Sequence, residues 1–296
     1  MSLAFGHPCA CPCLRPDSLM SLLAFYWDES GTDRKCRVAA VAGYLGQVSE
    51  WRRFEREWGK VLKKYRVHLM HRSHLETWHG EFTADCGWNP TRRAAFLREL
   101  HPIIKSCTKV AVGTAIIKED WQEVMPDWLK RFFGGVYGWC AHECVVAVRV
   151  WCERPNRGHA HPITWAFEQG AQGQAQVLQM FTELSRDPTL KKEYRLGPIS
   201  FPGKEVVPLQ AADTLAYEIF KQVENQILDR GEKPRRAIFR KRPDASTRPN
   251  LSKILGQSAV ERMARTKPTK RRARSNQEGV GLIAFASALS NLSKSK

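Results

Sequence analysis

Two short apolar runs in this chain stop on a carboxylate, and they constrain the fold more than any other feature. The first, LLAFYWDESG at residues 22–31, is unbroken from Leu22 to Trp27 and then turns to Asp28, Glu29 and a Ser-Gly pair. The second, PITWAFEQG at residues 162–170, ends in Glu168 just before Gly170. A short, aromatic-rich apolar run bounded by turn residues reads as a strand buried on both faces. A buried strand that delivers an acid at its end places a charge where solvating it is costly.

The intervening pattern supplies the cover for such strands. CRVAAVAGYLG (36–46) follows the turn GTDRK and reads as the hairpin partner of the first run. Ser49 is the expected N-cap of a helix over 50–65, where Trp51, Phe54, Trp58, Val61, Leu62 and Tyr65 recur at helical spacing. Asn89-Pro90 opens a second helix that runs to about Ser106, and 108–117 is a strand. Helices are expected over 120–131, 134–153, 171–186 and 207–228, and a short strand over 197–201. Hairpin strands followed by alternating strands and helices define an α/β fold, a mixed sheet flanked by helices.

Composition bounds the rest. A chain of 296 residues that is 43% hydrophobic, with ten Trp, can bury a sizeable core in one large domain or two small ones. No apolar stretch reaches the roughly 18 residues that span a bilayer, so no membrane association is expected. No basic region precedes an apolar one in the manner of a secretory signal. Nine cysteines, an odd number, fit reduced thiols in a cytoplasmic protein better than a disulfide framework. The phosphate-binding loops G-x-x-x-x-G-K-[ST] and G-x-G-x-x-G are missing from the sequence.

The net charge of +17 is unevenly placed. Residues 231–296 hold 17 Lys/Arg and 4 Asp/Glu, net +13; residues 1–230 hold 30 and 26, net +4. Three regions follow: a disordered leader over 1–19, a folded domain over 20–230, and a basic, largely disordered arm over 231–296. The leader carries Cys9, Cys11 and Cys13, whose C-x-C-x-C spacing is unlike the paired C-x-x-C of a zinc site, and Met20 stands as an alternative start. In the arm, Arg235, Arg236, Arg240, Lys241, Arg242, Lys270, Arg271, Arg272 and Arg274 are the expected contacts to nucleic-acid phosphates. The bland alternative is a solubilising tail.

The acids suggest chemistry. In an open α/β sheet, ligands bind in the crevice beyond the strand ends, where Asp28 and Glu168 are expected. The helix over 207–228 adds Asp213, beside a stripe of Leu209, Ala212, Ala216, Ile219 and Val223 and on one face with Gln210 and Tyr217. Three neighbouring carboxylates raise one another's pKa unless a cation joins them. A hard divalent ion, Mg²⁺ or Mn²⁺, suits such oxygen ligands. Two such ions about 3.5–4 Å apart serve phosphodiester hydrolysis.

YWDESG, FEQG and LQAADTLAYE together resemble the domain of unknown function 3800 family, whose members are similar to ribonuclease H-like folds, over roughly residues 20–230. HLMHRSHLE resembles that family's histidine-bearing segment. The resemblance implies a metal-dependent nuclease site of Asp28, Glu168 and Asp213, with Glu29, His71 and Gln210 close by. A fourth acid, common in ribonuclease H-like enzymes, has only Glu29 and Glu218 as candidates. A catalytically silent module that binds nucleic acid or protein is the alternative. Each residue also has a plainer reading. On a strand Glu29 faces away from Asp28 and reads as a turn residue. His71 sits among several loop histidines, and Asp213 could bind a neighbouring loop. In CAHEC (140–144), Cys140 and Cys144 share a helix face and His142 does not, so that motif reads as core.

Overall fold

The computed structural model describes residues 22–153, 161–227 and 250–255. The expectations for the leader, for Met20 and for the nine basic residues of the arm lie outside them. The element order is β1 (Leu23–Ser30), β2 (Val38–Gln47), α1 (Val48–Tyr65), α2 (Arg72–Thr77), α3 (Pro90–Cys107), β3 (Val110–Ile117), α4 (Lys118–Val124), α5 (Asp127–Phe133), α6 (Val136–Cys152), β4 (Ile163–Phe167), α7 (Gln174–Arg186), α8 (Pro188–Glu193), β5 (Leu196–Ser200), α9 (Val207–Ile227) and β6 (Asn250–Leu255). Two single-turn 3₁₀ segments lie between α2 and α3.

The strands form one mixed sheet in the order β5-β4-β1-β2-β3-β6. β2 is antiparallel to both β1 and β3, whereas β4 is parallel to β1 and β5 parallel to β4. Six residues of the expected arm, Asn250–Leu255, form an edge strand parallel to β3. Their backbone pairs with an edge that β3 would otherwise leave open.

Alternation along the strands sorts the core into two layers. Leu23, Phe25 and Trp27 of β1 join Trp165 and Phe167 of β4 in a cluster with α6 and α7. Ring pairs such as Phe25–Trp165 at 5.3 Å and Trp27–Phe181 at 5.9 Å knit it together. The other face carries Ala24, Ala40 and Ala42 under α1, α3 and α9. Small residues bring α9 close to the sheet: a Cβ at Gly113 would meet Ile219 Cδ1 at 2.2 Å and Ala42 Cβ at 2.8 Å. That close approach sets the height of Asp213 above the strands.

Several elements differ from the sequence reading. β1 does not stop at Trp27; it pairs with β2 as far as Ser30 opposite Ala40. The acids therefore sit within the strand, because β2 continues to supply partners after β4 has ended at Phe167. α1 begins after Gln47, not at Ser49, and Glu50 Oε2 accepts the Gln47 N–H at 3.1 Å. The helix expected over 120–131 is two helices, since Met125, which precedes Pro126, is extended at ψ 124°. α8 was unforeseen, although Asp187-Pro188 is a capping signal: Asp187 Oδ1 accepts from Thr189 N at 2.7 Å.

Among the described residues, no helix is long and apolar enough to cross a membrane. Cys140 and Cys144 are fully buried core residues, as their spacing implied.

Candidate active site

The parallel register of β1 and β4 runs from Ala24 opposite Thr164 to Trp27 opposite Phe167. One step further along the same register sets Asp28 beside Glu168, and parallel neighbours point to the same face. That face is the one under α9. Asp28 is 4% exposed and Glu168 8%. Asp213 reaches the same place from α9.

The electrostatics report the convergence. Burial raises the Asp28 carboxyl well above its ordinary range, and the charges of Asp213 and Glu168 raise it further. The backbone N–H of Glu29, donating to Asp28 Oδ1 at 2.7 Å, pulls the other way. Asp213 is pushed up to about 6 by burial, against the pull of a backbone hydrogen bond from Arg72. Asp28 and Asp213 therefore hold their protons more tightly than free acids do.

Lys204 is a cation the sequence reading missed. Its Nζ lies 3.0 Å from Glu168 Oε1. Burial lowers the Lys204 pKa, but Glu168, then Asp28 and Asp213, more than offset this and raise it above its ordinary value. The cleft is lined by His71, Glu168, Lys204, Gln210 and Asp213, with Leu69, Met70 and Leu209 as its apolar wall. Only the position of Lys204 just after β5 could have drawn attention to it.

The His-bearing segment and α9 are clipped together. Gln210 Oε1 accepts from Met70 N at 3.2 Å and from Trp58 Nε1 at 3.0 Å. Asp213 Oδ2 accepts from Arg72 N at 2.6 Å. Asp213 thus binds a neighbouring loop, as its plainer reading held, and lines the cleft as well. His71, between those two anchored residues, has Nδ1 3.8 Å from Asp213 Oδ2 and 3.0 Å from Ser73 Oγ. Its ring stacks on His74 at 4.4 Å. Burial, then Lys204, lower its pKa.

The two candidates for a fourth acid are engaged elsewhere. Glu29 faces the opposite side of the sheet, where Oε2 accepts from Gly173 N at 2.8 Å. Burial raises its pKa to about 7. Its place beside Asp28 in sequence puts it behind the site, because strand neighbours point to opposite faces. Glu218 Oε1 accepts from Arg72 Nη2 at 2.6 Å and Nε at 3.0 Å in a buried pair. Arg72 also meets Glu76 at 2.8 Å, and Glu76 lies 3.5 Å from Arg93.

Among the described residues, no group of three or more His, Cys, Asp or Glu side chains is arranged as it stands to hold a metal ion. The donor set is nonetheless of the right chemistry: three carboxylates, all oxygen ligands, with Asp28 and Glu168 buried and Asp213 partly so. No protein-family model, curated protein or solved structure matches the chain.

Proposed function

We propose that the chain is a divalent-metal-dependent nuclease of ribonuclease H-like design. The observation that carries this reading is the meeting of Asp28, Glu168 and Asp213, from two adjacent parallel strands and a helix, at a cleft that Glu168 and Asp213 line. The sheet supports it, since the acid-bearing first strand lies inside, antiparallel to the second and parallel to the fourth. The likeness of D-E-S-G and L-Q-x-A-D to the domain of unknown function 3800 family supports it too.

Asp28, Glu168 and Asp213 would hold Mg²⁺ or Mn²⁺. Such an ion, when bound, supplies an activated water and neutralises charge on a phosphodiester. The chain's own residues do the positioning. Asp28 is fixed by the β1–β2 pairing, and Asp213 by Arg72 N. Gln210 holds Met70 and Trp58, so it shapes the wall of the cleft rather than touching the reaction. Burial favours the neutral imidazole of His71, a form that can take up a proton next to Asp213. The basic arm would add affinity for the nucleic-acid backbone.

The test is cleavage of labelled single- and double-stranded RNA and DNA with Mg²⁺, Mn²⁺ or a chelator. Divalent-dependent cutting that disappears in Asp28→Asn is expected. A silent nucleic-acid- or protein-binding module is the second reading. The pairing of Glu218 with Arg72 and the rear-facing Glu29 favour it, because among the described residues no fourth acid lines the cleft. Absence of cutting together with absence of Mn²⁺ binding would select it.

A further inference from the structure

Resting on the metal-site reading, we propose that Lys204 is the site's internal counter-ion, displaced from Glu168 when a divalent ion binds and then turned to the substrate phosphate. Three observations carry this. Lys204 Nζ is in direct contact with Glu168 Oε1 at 3.0 Å, and Glu168 is buried. The contact is built rather than incidental. Gln169 N, next to Glu168, donates to Pro202 O at 2.8 Å, and Val206 N donates to Gly203 O at 3.1 Å. The loop over 201–206 is thereby tied to the end of β4 at Pro202 and closed on itself by a turn that spans Lys204. The lysine side chain itself is 52% exposed, whereas that of Glu168 is 10% exposed. Its four-carbon stem can move the ammonium into solvent without moving the backbone, while the carboxylate cannot follow it.

The charge balance explains why the lysine is there. Three carboxylates without a cation, Asp28 and Glu168 buried and Asp213 partly so, repel one another and lack hydration. An ammonium from the chain relieves part of that in the empty site. A divalent ion relieves more of it and competes for the same oxygen. The released ammonium remains at the mouth of the cleft, within reach of a phosphate drawn to the ion. Lys204 is in this sense a positioning residue for two successive states.

The experiment compares the full chain with Lys204→Met and Lys204→Arg. Mn²⁺ binding is followed by titration calorimetry, and unfolding without metal by urea. Lys204→Met is expected to bind Mn²⁺ about tenfold more tightly, because a competing charge is removed. It should also unfold at lower urea without metal, and the loss should shrink when Glu168→Gln is added, as coupled neighbours require. With Ca²⁺ present, Lys204→Met should bind a short single-stranded oligonucleotide more weakly, and Lys204→Arg should keep the wild-type affinity. Mn²⁺ affinity unchanged or weakened in Lys204→Met overturns the counter-ion and leaves the metal site standing. Additive urea effects of Lys204→Met and Glu168→Gln overturn it as well. Oligonucleotide affinity unchanged in Lys204→Met overturns the phosphate role alone. No Mn²⁺ binding by any of the proteins overturns the metal site, and the displacement falls with it.

Discussion

Gln210 and Asp213, three residues apart on α9, accept backbone N–H groups on either side of His71, from Met70 at 3.2 Å and Arg72 at 2.6 Å. The helix that carries the last acid of the site therefore also holds the segment that carries its histidine. Gln210→Ala leaves two buried donors, Met70 N and Trp58 Nε1, without that acceptor. A loss of about 2–6 kcal/mol is expected, at about 1–3 kcal/mol for each unpaired group. Urea unfolding measures it, and a loss below about 0.5 kcal/mol would show that water replaces the amide there.

Asp28→Asn separates stability from chemistry. The carboxyl it removes is buried and already raised by its neighbours, so the metal-free fold should be at least as stable as wild type. Divalent-dependent cleavage should vanish. Cleavage that persists in purified Asp28→Asn would place the reaction at another site or in a contaminant.

Glu29→Gln is a test by pH. The folded pKa of Glu29 is about 7 against an ordinary 4.5. A carboxyl raised in the fold favours folding fully below its unfolded pKa, and that contribution is lost as pH rises through the folded value. Gln keeps the neutral form and an acceptor for Gly173 N. The variant and wild type should match near pH 5, and the variant should be more stable by about 2–3 kcal/mol at pH 8. Comparing the two proteins at each pH cancels the histidines, His71 and His74, whose lowered values act in the opposite sense. Equal stability at both pH values would mean that Glu29 is ionised without cost. Cleavage should change less than in Asp28→Asn, because the side chain faces the other side of the sheet.

Glu218→Ala removes the partner of a guanidinium that is 4% exposed. Breaking one side of a buried pair costs about 3–5 kcal/mol, and the remaining Glu76 contact should hold the loss near the lower end. Mn²⁺ affinity measured on the folded variant should stay within about twofold of wild type, a difference of about 0.4 kcal/mol. A tenfold loss of affinity would make Glu218 a ligand and restore it as the fourth acid.

Deletion of residues 256–296, which spares β6, should flatten the salt dependence of duplex binding, since that segment carries a net +7. Filter binding across a range of KCl concentrations reads the slope. An unchanged slope would leave the segment as a tail.

The local pattern of the sequence determined β1 to β5, the long helices and the sidedness of β1, because period two and period 3.6 are written in consecutive residues, whereas β6 lay in the expected arm. Glu29 could be assigned to the face opposite Asp28 from that alternation alone. Asn89 and Pro90 marked the start of α3 for the same local reason, and Asn89 Oδ1 does accept from Arg92 N at 2.9 Å. What joins distant segments was decided by the tertiary structure. Asp28 and Glu168 are 140 residues apart, and only the parallel register of β1 and β4 makes them neighbours. Gln210 is an acceptor for Met70 N because α9 descends onto a floor of Ala42 and Gly113. Lys204 stands in an ordinary loop sequence and gains its meaning from the carboxylate 3.0 Å away. Glu218 reads in sequence like any helix acid, and it is the buried Arg72 that takes it out of the site. Charge pairing across a fold has no period along the chain, so it becomes legible only when the segments meet.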